Sequence, residues 1–163
     1  MTIFGALWFL IKDAFWSGVA SLAFAVMFNV PVRTLGACAL GGAVGYLIRT
    51  ILMEGGIGIE GATLAGATVV GFMGEMFARR WSAPASVFTV PAVIPMLPGT
   101  FAYNTMIGVL RIASHGEATP ISLIISTAVN GSKTVLILSA IAIGIAAPAL
   151  LIYQRRLPPG QRS

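Results

Sequence analysis

Residues 88–104 read FTVPAVIPMLPGTFAYN, an apolar run that carries Pro91, Pro95 and Pro98 within eight residues and then Gly99. A proline has no N–H to give the preceding helical turn, so the run cannot be one regular helix. Its aliphatic content is equally unsuited to a loop in water. A backbone interrupted inside an apolar environment satisfies both constraints.

The composition supplies that environment. Of 163 residues, 57% are hydrophobic and 9% charged, where soluble domains carry about 25% charge, and the mean hydropathy is +0.92. The chain therefore belongs in a lipid bilayer. One crossing takes about 20 apolar residues, so residues 1–163 are expected to form a single transmembrane domain of four or five spans, with no room for a separate soluble domain.

The net charge of +5 does not point to nucleic acid, because the cations are scattered rather than gathered into a stripe or tail. They serve as topology signals, and no nucleic-acid partner is expected. Cys38 and His115 are each the single residue of their type, which excludes an internal disulfide and a His/Cys metal cluster. No cofactor is implied. The first apolar run has no basic residue before it and is interrupted by Lys12 and Asp13, so it is expected to remain as a span despite the cleavage-like AFA at residues 23–25.

The first span is expected over residues 4–28, ended by Asn29 and Pro31. The second covers residues 34–53 and contains Gly41-x-x-x-Gly45; the glycine-rich EGGIGIEG follows as a connection that cannot hold a stable helix. The third, residues 62–78, aligns Thr63, Ala67, Gly71 and Glu75 on one face by their four-residue spacing. Arg79 and Arg80 close it. Residues 86–113 make a fourth span with an irregular middle. The last segment, residues 120–153, is about 50 Å long if wholly helical, which suggests a second break at Asn130-Gly131-Ser132 and a kink at Pro148. The fold class is thus all-α, a polytopic membrane protein of about five helices with the fourth broken at a Pro/Gly motif.

With five spans, Arg33, Arg79, Arg80, Arg155, Arg156 and Arg162 fall on one side, and Arg49, Arg111 and most of the acids on the other. The positive-inside rule makes the first side cytoplasmic, with the N-terminus outside and the C-terminus inside.

Irregular backbone at membrane depth survives only where protein covers it or where it lines a polar cavity. Carbonyls freed by the prolines, and the N-terminal end of a half-helix near Gly99, could bind a polar or anionic solute. Pro95, Pro98, Gly99, Thr100, Tyr103 and Asn104 are the candidate substrate-binding residues. The bland alternative is a cytoplasmic loop on the headgroups. Glu75 is a candidate proton carrier, being an acid inside an apolar span; its alternative is an ion pair with Arg79 one turn on. Lys133 could neutralise a solute carboxylate or lie solvated in a loop. Lys12 and Asp13 read as interfacial anchors. NGSKT at residues 130–134 departs from a phosphate-binding loop, because Ser132 separates the glycine from the lysine. No metal-protease pair, nucleophile elbow or paired intramembrane aspartates occur, so no catalytic residue is assigned and an enzyme is not expected.

FNVPVR at residues 28–33 and VFTVPAVIPMLPGTFAY at residues 87–103 resemble the small, YjjB-like subunit of the threonine/serine exporter family, and the order of the spans agrees. The resemblance implies a split secondary transporter of the bacterial inner membrane. In it, the small subunit works with a larger YjjP-like membrane subunit to export threonine and serine or a succinate-like dicarboxylate. The expected partners are therefore that subunit, the lipid bilayer and a small carboxylate or amino-acid solute, with room for a homo-oligomer within the complex. A membrane scaffold that stabilises a partner without transporting is the alternative.

Overall fold

Apolar runs of helical length, interrupted where glycine, asparagine or proline weakens the helix, produce an all-helical chain. The computed structural model describes residues 3–154, within which no strand occurs. Its helices are α1 (Ile3–Met27), α2 (Leu35–Glu54), α3 (Ile59–Trp81), α4 (Ser86–Val93), α5 (Gly99–His115) and α6 (Ile121–Gln154). Short 3₁₀ turns cover Val32–Thr34, Ile94–Met96 and Gly116–Ala118. Arg155, Arg156 and Arg162, used above for orientation, lie outside the described residues.

Four helices are long and apolar enough to cross a membrane, and Ser86–Met96 with Gly99–His115 forms a bent pair that makes a fifth if counted as one span. Large apolar side chains such as Trp8, Phe15, Tyr103, Met106, Ile125 and Val135 are uncovered by protein. A surface of that kind is an aggregation hazard in water and ordinary in hydrocarbon.

The helix ends have local causes. Asn29 adopts φ 58°, and the Val30 N–H reaches back to the Ala25 carbonyl at 3.0 Å, so α1 is stopped by a left-handed cap, with Pro31 only following it. Ser82, at φ 49°, ends α3 in the same manner, with Ala83 N–H on the Ala78 carbonyl at 3.2 Å. The glycine-rich connection is shorter than expected, because α3 starts at Ile59 and absorbs Gly61.

The chain forms two compact units, Met1–Met96 with Ala140–Ser163, and Leu97–Ser139. In the first, α2 packs against α1, α3 and α4. The contact between α2 and α3 is backbone to backbone: a Cβ on Gly66 would stand 2.6 Å from the Gly45 carbonyl oxygen. Small residues permit such approach where lipid gives no hydrophobic drive for association. The row aligned on one face of α3 is covered by protein over its first three members. Thr63, Ala67 and Gly71 are buried, and Ala67 and Gly71 face Gly144 of α6. Phe77, Trp81 and Phe88 close one end of this unit, with Phe77 and Phe88 centroids 5.8 Å apart.

In the second unit, Gly108 of α5 is buried against Thr127 of α6, and Gly131 faces Thr105. The break expected at Asn130-Gly131-Ser132 does not form; α6 is helical without interruption over 34 residues. Glycine in a helix costs about 1 kcal/mol, less than the several kcal/mol of leaving backbone groups unpaired in hydrocarbon.

Candidate functional site

The proline-rich stretch divides at Leu97 and Pro98. Before that point, α4 accommodates Pro91 in its interior and passes into the 3₁₀ turn that contains Pro95. After it, α5 begins at Gly99 with Pro98 as its N-cap. The broken fourth helix expected from the sequence is therefore present.

Each proline withholds a donor, and side chains from α2 answer two carbonyls of this stretch. Pro91 has no N–H for the Val87 carbonyl, and Cys38 Sγ donates to that oxygen at 3.5 Å. At the last residue before the break, Arg49 Nη1 donates to the Met96 carbonyl at 3.2 Å. Arg49 is half-buried and its guanidinium lies 5.6 Å from the centroid of the Tyr46 ring. The freed carbonyls are thus partly satisfied by the protein itself. Met96 is fully buried beside Gly45, where a Cβ would collide with the Met96 and Val70 side chains.

The other candidates are distributed. Pro95 is half-buried in the first unit. In the second, Pro98 is buried, while Gly99, Thr100, Tyr103 and Asn104 are exposed on the first turns of α5. Gly99 N–H donates to the Leu97 carbonyl at 2.9 Å; with no side-chain cap and no acidic residue in the first turn, the N–H groups that follow present partial positive charge. Lys133 is on α6 rather than in a loop, half-buried, with Nζ 5.3 Å from the centroid of Phe101. Glu75 is half-buried on α3, one turn beyond Gly71. Both Glu75 and Arg79 are described residues, and no ion pair forms between them.

The sequence reading missed Arg49, which it used only as a topology signal. The pattern that marks it is plain: Gly41, Gly45 and Arg49 are four residues apart, so the arginine ends the small-residue row of α2 as Glu75 ends that of α3.

A family model described as Threonine/Serine exporter, ThrE, matches residues 13–151 of this chain. No solved structure matches it.

Proposed function

Because the chain belongs to the threonine/serine exporter family, we propose that it is the small membrane subunit of a secondary transporter that exports small carboxylate solutes. Threonine and serine are the first candidates and a succinate-like dicarboxylate the next. Its partner is a larger YjjP-like subunit, and the complex resides in the bacterial inner membrane with the N-terminus of this chain outside. The observation that carries the reading is the break at Leu97 and Pro98, which leaves the first turn of α5 uncapped with Thr100, Tyr103 and Asn104 uncovered. Discontinuous helices supply just such termini to the carboxylates of transported solutes. Pro95 and Pro98 keep the backbone from closing into a helix, Glu75 is assigned to proton coupling, and Lys133 to a solute counter-charge.

Efflux of labelled L-threonine and of labelled succinate, measured from preloaded cells carrying this chain, the larger subunit, or both, tests the proposal. Export is expected only from the pair. Equal efflux from the larger subunit with and without this chain would reduce it to a scaffold or less.

A further inference from the structure

Arg49 lies five residues inside the C-terminal end of α2, about 7.5 Å along the helix axis. An arginine so placed can reach the interface by bending back toward the helix end. Here it does otherwise. Side chains in a helix lean toward its N-terminus, which from Arg49 is toward the middle of the span, and the guanidinium ends on the carbonyl of buried Met96.

A guanidinium carries five N–H donors and remains charged under all physiological conditions. Nη1 gives one of them to Met96. Among the described residues the others have no side-chain acceptor, and no carboxylate forms an ion pair with Arg49. The Tyr46 ring beside it offers its π face but neutralises nothing. Charged side chains inside a span usually face the bundle interior or a polar cavity and pair there with one another or with backbone carbonyls, as Arg49 does with Met96. Arg49 has the position and lacks the counter-ion.

We propose that Arg49 receives the carboxylate group of the exported solute, with the Met96 carbonyl holding the guanidinium in place. The bond through Nη1 leaves the edge formed by Nε and Nη2 for the two carboxylate oxygens, the paired geometry in which arginine binds carboxylate best. No bond to Met96 need break on loading. The inference rests on the exporter reading and, for a solute with one carboxylate, assigns that group to Arg49 in place of the α5 terminus and Lys133.

Arginine modification tests it. The full chain, in membranes that also contain the larger subunit, is treated with phenylglyoxal, and the peptide bearing Arg49 is followed by mass spectrometry. L-threonine at about four times its half-saturating concentration is expected to slow modification of Arg49 about fivefold by occupancy. L-threoninamide, which lacks the carboxylate, should not protect, and Arg33 should be indifferent to both. A parallel pair, succinate and its diamide, separates a dicarboxylate solute from an amino acid. Arg49→Lys keeps a donor for Met96 and loses the fork, so the half-saturating concentration for efflux should rise about tenfold, the equivalent of one charge-assisted bond. The proposal is overturned if Arg49 is unreactive without solute, if neither carboxylate protects it, or if the amides protect equally. Protection without any efflux would instead sink the exporter reading and leave Arg49 as a carboxylate site.

Discussion

Cys38 Sγ stands 3.5 Å from the carbonyl of Val87, 49 residues further along the chain, and supplies the donor that Pro91 cannot. The thiol is a weak donor, but in a bundle interior without water it replaces a bond that would otherwise be missing. Cys38→Ser should preserve stability, whereas Cys38→Ala should lower it by about 1 kcal/mol. In a Pro91→Ala background the new N–H takes over Val87, and the cost of Cys38→Ala should shrink. Thermal unfolding of the four variants in detergent measures this coupling; an unchanged cost would mean that Cys38 only fills space.

Closing the break should separate insertion from transport. Alanine at Pro95, Pro98 and Gly99 together removes penalties of about 3 kcal/mol for each proline and about 1 for glycine in a helix interior, favouring one continuous helix. The triple variant is expected to accumulate in the membrane at parental levels and to lose threonine efflux. Normal efflux would mean that the interruption has no part in transport.

Glu75→Gln removes the protonatable group at the end of the buried Thr63, Ala67 and Gly71 row and nearly preserves its shape. Insertion should be unchanged while efflux loses its dependence on the pH gradient. Efflux that still follows the gradient would discharge Glu75 from any coupling role.

Gly66→Ala sets a methyl group against a backbone oxygen that has no rotamer to escape into, since its Cβ would stand 2.6 Å from the Gly45 carbonyl. Overpacking of this kind costs about 1–3 kcal/mol. Gly36→Ala is the matched control, because nothing lies within 4 Å of its Cβ, and helix propensity alone should stabilise it by up to about 1 kcal/mol. Unfolding temperatures that move together for both variants would contradict the tight contact between α2 and α3.

The spans were legible because an apolar run of crossing length between breakers has few other folds, and the break after Pro95 because three prolines leave the backbone no regular alternative. The uninterrupted α6 was misread for a physical reason. Asn130, Gly131 and Ser132 would punctuate a helix in water, where freed backbone groups find solvent, but in lipid the same groups have only each other. Glu75 was singled out by its four-residue spacing from Thr63, Ala67 and Gly71, and the spacing of Gly41, Gly45 and Arg49 is equally written in the chain. What no spacing contains is that Arg49 and Met96, 47 residues apart, meet through a hydrogen bond.

The apolar stretch of α6, Ile121–Leu151, is 31 residues long, about 46 Å as a helix, against a hydrocarbon core of about 30 Å. To fit wholly inside, a straight rod would have to lean by about 50°, beyond the usual 0–40° of membrane helices. The mismatch can be taken up by leaning, by a thickened annulus of lipid, or by an end of the helix standing outside the core. Bilayer thickness is thereby expected to act on this protein. Reconstituted in lipids of graded acyl length, the complex should export fastest in the thicker membranes and slow as the bilayer thins.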